Sequence, residues 1–200
     1  MDKDFYLQLL EQWCEEEEPA FLCAYRHVRD IPYGSTGERD PKEIVRNNLG
    51  SCSGKHVLLS RLLRSADQEC KVVTCLHHFN EALPRRDDYP DELKEILDSR
   101  PVIDFHHFIR LKRGGRWLDV DATWDRALAA YGFPVNLGWT GEGDTRVAVR
   151  PIKFYNSTED IIALKIRLIS ELSPEEQRVR SRFMRLLTSW MAEIRTGSGS

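Results

Sequence analysis

Two extended runs, at about 102–112 and 116–122, meet at Lys112-Arg113-Gly114-Gly115, and this hairpin constrains the fold more than any other stretch of the chain. A glycine pair supplies the positive φ angles of a tight turn, so the two runs lie antiparallel and side by side. A third extended run at 71–76 offers the hairpin a neighbour, and Val147-Ala148-Val149 reads as a further short strand. A sheet of this kind needs the rest of the chain to cover it.

The cover is helical. Apolar residues recur at helical spacing from Phe5 to Trp13, and Pro19 restarts a second helix through Phe21, Leu22, Tyr25 and Val28, broken at Ile31-Pro32. Asp40-Pro41-Lys42-Glu43 is an N-cap followed by proline and an acid in the first turn, opening a short helix to about Asn47 or Asn48. From 53 to 65, Val57, Leu58, Leu59, Leu62 and Leu63 share one side, with Lys55, Arg61 and Arg64 elsewhere. Residues 80–101 carry paired charges, Pro84 and Pro90, and read as a surface excursion with a short helix from Asp91 to Leu97.

Two helices close the chain. One starts near Ser157 or Thr158 and carries Ile161, Leu164 and Leu168; the other follows the capping box Ser173-Pro174-Glu175-Glu176 and carries Val179, Phe183, Leu187 and Trp190. Their apolar residues spread widely around the helix, which suits packing on the core or a homodimer interface. The sum is an α+β fold, an antiparallel sheet packed against helices. Two hundred residues fit a single domain, 1–200, with a core at about 40–125 and a helical extension at about 157–195. Gly197-Ser198-Gly199-Ser200 reads as a flexible tail.

Three segments carry chemistry. Cys52, in Gly50-Ser51-Cys52-Ser53-Gly54-Lys55, precedes a strongly helical run, where unpaired N–H groups and the helix dipole lower a thiol pKa and can cradle an oxyanion. Gly50 allows a tight turn ahead of it, and Ser53 and Gly54 keep its surroundings small. His106 and His107 are adjacent on a strand and point to opposite faces, neither cleanly apolar, so periodicity leaves both open. Asp119 and Asp121 share a face of the next strand, where one acid can be solvated while the other orients an imidazole across the ladder. Cysteine, histidine and aspartate in these settings suit a nucleophilic thiol enzyme.

The order Gly-x-Cys-helix, His on a strand, a tight turn, Trp117 and Asp121-x-Thr123 resembles the transglutaminase-like superfamily. So do the Asp40-Pro41-x-Glu43 lead-in, Leu58-Leu59-x-x-Leu62-Leu63-Arg64 and Lys71-Val72-Val73. The resemblance covers about 40–125 and implies a papain-like transglutaminase core with Cys52 as nucleophile, His106 as general base and Asp121 as its orienter. It implies a thiol-dependent amide hydrolase or acyl transferase working through a thioester on a protein or peptide substrate. A cysteine peptidase or glutamine amidase is favoured, with a protein-glutamine transglutaminase or a non-catalytic module keeping the fold as alternatives. Animal transglutaminases place a tryptophan ahead of the cysteine to hold the oxyanion, but no tryptophan lies between Trp13 and Trp117 here. The Cys52 N–H with Asn48 or Tyr33 is expected to take that part. Ala122 stands where the family usually has proline, and no calcium-loop pattern is present.

Charge narrows the partners. With 29 basic and 32 acidic residues the net charge is −3, so neither nucleic acid nor a membrane surface is expected as a partner. His77-His78, His106 and Asp121 lack metal-ligand spacing, and neither metal nor cofactor is implied. Five cysteines without a CxxC pair, and no apolar leader after Asp2, favour reduced thiols and a cytoplasmic location.

Overall fold

The computed structural model describes residues 2–196; the expected tail at 197–200 lies outside the described residues. The fold is α+β. Its elements are α1 (Asp2–Trp13), α2 (Ala20–Asp30), α3 (Pro41–Asn47), α4 (Cys52–Ser65), β1 (Cys70–His78), α5 (Phe79–Ala82) and α6 (Asp91–Ser99). There follow β2 (Ile103–Arg113), β3 (Arg116–Val120), a 3-10 turn (Arg126–Tyr131), β4 (Lys153–Tyr155), α7 (Ile161–Ser170) and α8 (Pro174–Thr196). The four strands form one antiparallel sheet in the order β3-β2-β1-β4.

The hairpin forms as its glycines dictate. Gly114 and Gly115 adopt φ of 53° and 79°, and Arg113 pairs with Arg116 across the two-residue turn. β3 stops at Val120, short of 122, because the next three N–H groups are taken by side chains instead of a ladder. Asp121 N donates to Thr145 Oγ1 (2.8 Å), Ala122 N to His56 Nε2 (2.9 Å) and Thr123 N to Asp121 Oδ1 (2.8 Å). The same cause removes the strand expected at 147–149: Ala148 N donates to Asp121 Oδ2 (2.9 Å), and the edge strand forms at β4.

Alternate residues of β2 face two apolar clusters. Ile109 and Leu111 join Leu58, Leu59 and Leu62 of α4 and the buried faces of α1 and α2. Phe108 joins a second cluster with Leu93 and Ile96 of α6 and Phe183, Leu187 and Trp190 of α8. The apolar stripe of α8 is thus spent inside the chain, and the 80–101 excursion is a packed helical layer, with Tyr89 edge-on to Trp190. The capping box of α8 is reciprocal: Ser173 N donates to Glu176 Oε2 (2.7 Å) and Glu176 N to Ser173 Oγ (3.2 Å). α7 begins later than Ser157 or Thr158, because Asp160 is the cap, accepting from Ile162 N and Ala163 N.

Lys55, off the apolar side of α4, is nonetheless fully buried. Cys14 and Cys23 are not reduced thiols: they form a disulfide joining the end of α1 to α2, so thiol state does not place the chain in a reducing compartment. No helix among the described residues is long and apolar enough to cross a membrane.

Gly141 gives a stability test. Its φ is +91°, and a Cβ there would meet Phe21 Cε2 at 2.5 Å, in a ring packed edge-on to Trp139. Gly143, at φ +69°, would meet nothing within 4 Å. Gly141→Ala is expected to cost roughly 2–4 kcal/mol and Gly143→Ala about 1 kcal/mol, read by denaturant unfolding. Equal costs would mean that the Phe21 contact is irrelevant.

Candidate active site

Cys52 opens α4, with Ser51 as a cap residue that contributes no side-chain bond. The loop ahead of it is tied down by Gly50 N to Pro32 O (3.1 Å) and Gly34 N to Gly50 O (3.2 Å), a bridge that brings Tyr33 alongside. Gly50 and Gly54 are small for a reason other than a turn or room for substrate. A Cβ on Gly50 would meet Lys55 Cγ at 2.9 Å, and one on Gly54 would meet Ile44 Cδ1 at 2.8 Å, so both let α3 and the Lys55 stem close on α4.

His106 lies on β2 opposite Cys75, and its Nε2 is 2.7 Å from Asp121 Oδ2. Asp121, just past β3, is held by the N–H groups of Thr123 and Ala148. His56, one turn along α4 from Cys52, joins the site as well. Its Nε2 accepts from Ala122 N, so its proton sits on Nδ1 and is donated to the Cys52 carbonyl at 2.8 Å. One imidazole thereby fastens the cysteine's backbone to the segment that carries Asp121.

The other candidates separate cleanly. His107 points the opposite way, its Nδ1 3.0 Å from Ser53 Oγ and its buried Nε2 without a hydrogen-bond partner. Asp119 is half-buried and pairs with Arg110 Nε at 2.9 Å. Tyr33 is buried against Trp124, and its phenol is pushed well above its usual range by burial and then by the Cys52 and Asp104 charges. Asn48 is exposed and closes α3 in the left-handed conformation, φ 45°.

A second charged group completes the site. Lys165 of α7 places Nζ 3.7 Å from Cys52 Sγ and 3.4 Å from Asp104 Oδ2, and Arg180 of α8 donates Nε to Asp104 Oδ1 at 2.7 Å. Nothing in the cysteine's neighbourhood pointed to them. The available signals were a lysine inside the apolar run Leu164-Lys165-Ile166 and an acid inside Ile103-Asp104-Phe105.

Electrostatics follow from this geometry. Burial works against a Cys52 thiolate, but the Lys165 charge and then the influence of the His106 and His107 imidazoles outweigh it and hold the thiol well below its ordinary range. Burial likewise opposes an imidazolium at His106, yet the Asp121 carboxylate raises it to about 10. His56 and His77 go the other way, to about 4, because burial dominates. These directions favour a thiolate–imidazolium pair, with His56 and His77 neutral beside it. The site is also closed: Cys52 is 4% exposed and His106 2%. A cleft of about 240 Å³ in the 80–101 layer, lined by residues such as Asn80, Arg86 and Tyr89, includes none of these groups. Among the described residues, no group of three or more His, Cys, Asp or Glu side chains could hold a metal ion.

No family model matches the chain, and no curated protein matches it. A crystal structure from Cytophaga hutchinsonii, described as a "Putative Cysteine Protease", is similar over 60% of this chain and 37% of its own, with 18% identity and a TM-score of 0.44. This chain thus matches little more than a third of that structure's length, and an overlap so partial assigns no activity.

Proposed function

We propose that this chain is a single-domain, thiol-dependent amide hydrolase or acyl transferase with a papain-like, transglutaminase-like core. The observation that carries the reading is the His106 Nε2–Asp121 Oδ2 contact of 2.7 Å beside a cysteine at a helix N-terminus. In this reading the Cys52 thiolate attacks an amide carbonyl, and the N–H groups at the start of α4 receive the oxyanion with Tyr33 nearby. Asn48, exposed at the end of α3, is the weaker oxyanion candidate. His106 protonates the departing amine, leaving a thioester, and then takes a proton from water for hydrolysis. Asp121 keeps the proton on Nε2 and the Nδ1 face toward sulfur. Hydrolysis of a protein or peptide substrate is favoured over transfer to a second amine.

A second reading, a binding module that keeps the fold, draws on the 4% exposure of Cys52. Substrate can reach the sulfur only if the segments around it part. Incubation with a mixed library of glutamine-containing peptides, followed by intact-mass analysis, tests both. Catalysis predicts an acyl adduct on the wild type that hydroxylamine removes, and none on Cys52→Ser. A chain that stays unmodified while retaining a peptide favours the binding module.

A further inference from the structure

The triad reading needs one cation beside the sulfur, the His106 imidazolium. The structure holds a second. We propose that Lys165 is a positioning residue that keeps the Cys52 sulfur anionic independently of His106, with Asp104 and Arg180 fixing its ammonium in place. The inference deepens the thiol-enzyme reading but does not depend on turnover.

Three observations carry it. The first is geometry: Lys165 Nζ lies 3.7 Å from Sγ, and only 3% of the residue is exposed, so its charge acts on the sulfur with little screening from water. The second is anchoring. Lys165 reaches from α7 to Asp104 of β2 (3.4 Å), and Arg180 of α8 holds the other carboxylate oxygen (2.7 Å), so the ammonium is fixed by two further elements. The third is charge balance. Lys165 and Arg180 share the single carboxylate of Asp104, while Asp121 is taken up by His106, which leaves one positive charge over beside the sulfur unless the sulfur is ionised. Burying an unpaired charge is costly, so the cluster selects the thiolate.

The remaining titratable neighbours do not alter that count. His77 of β1 and His107 of β2 are held neutral chiefly by burial, as is His56 of α4. Tyr33, before α3, stays a phenol, and Cys75 of β1, pushed up to about 12, stays a thiol.

The test reads the sulfur itself, through the ultraviolet absorbance of the thiolate titrated against pH with Cys52→Ser as the blank. Lys165→Met should raise the midpoint by about 1–3 pH units, the effect of removing an opposite charge at this range, and Lys165→Arg should restore most of it. His106→Asn should keep a thiolate at a midpoint below that of an ordinary cysteine, and the Lys165→Met/His106→Asn double variant should lose it. Leu168→Ala loosens the packing of α7 without touching charge and should leave the midpoint in place. Lys165→Gln replaces Lys165→Met if the latter does not fold. An unchanged midpoint in the lysine variants, or an equal shift in Leu168→Ala, overturns the inference. Because absorbance is independent of turnover, a protein without amidase activity that shows the shift retains the inference and loses only the enzyme reading.

Discussion

Asp121→Asn should lower the proposed acyl-transfer activity by roughly three to four orders of magnitude while leaving the chain folded. Lone pairs decide the outcome. Oδ2 accepts from both His106 Nε2 and Ala148 N, and Oδ1 accepts from Thr123 N. An asparagine has one acceptor oxygen, so its NH2 group must face a donor whichever way it is turned. If the amide nitrogen takes the Oδ2 place, the imidazole is driven to the other tautomer and its proton is turned toward the sulfur. If it takes the Oδ1 place, the contact to His106 survives without its charge. In both orientations burial prevails, and the imidazolium that Asp121 sustains up to about pH 10 is lost near neutrality.

The same residue has a stability signature. A histidine whose folded pKa is raised contributes stability that is complete below its ordinary value of 6.5 and is lost as pH climbs through about 10. That part of the wild-type pH dependence should be absent from Asp121→Asn. Activity within tenfold of wild type, or an unchanged His106 titration by NMR, would show that Asp121 does not orient the imidazole.

Local chemistry explains which parts of this molecule can be read from its sequence. The Gly114-Gly115 turn, the Asp40-Pro41 helix start and the Ser173–Glu176 box each act within a few residues, and each forms as its side chains dictate. What depends on distant partners is hidden. Ala148 has the neighbours of a strand residue, yet its N–H is spent on a carboxylate 27 positions away. Lys165 sits in an apolar helical run with nothing nearby to set it apart from a solvated lysine, but its partner is a sulfur 113 positions earlier. His56 was the exception within reach. A histidine four residues after a helix-opening cysteine lies on the same face, and that spacing alone places it over the cysteine's turn.

Lys55→Met should be the most destabilising single change, costing roughly 3–6 kcal/mol in denaturant unfolding with little change in side-chain volume. Lys55 Nζ donates to three backbone carbonyls, Arg29 O (2.9 Å), Ile31 O (2.7 Å) and Thr123 O (2.8 Å). These belong to the end of α2, the loop after it and the segment after β3, so one amino group closes three chain segments around the base of α4. Methionine fills the space and leaves the acceptors buried without donors, each at about 1–3 kcal/mol. The pH dependence separates this from a loss of packing. Burial, against the pull of Asp125 and Asp121, pushes Lys55 down from 10.5 to about 7. A lysine with a depressed pKa binds its proton more weakly in the fold than in the unfolded chain, so its contribution to stability rises with pH between those values. The gap between wild type and Lys55→Met should therefore widen from about pH 7 toward pH 10, whereas a cavity or packing defect would give a gap that does not move. Since the same clamp sets the position of the helix that opens at Cys52, Lys55→Met at low denaturant should also blunt the thiolate titration before the chain unfolds.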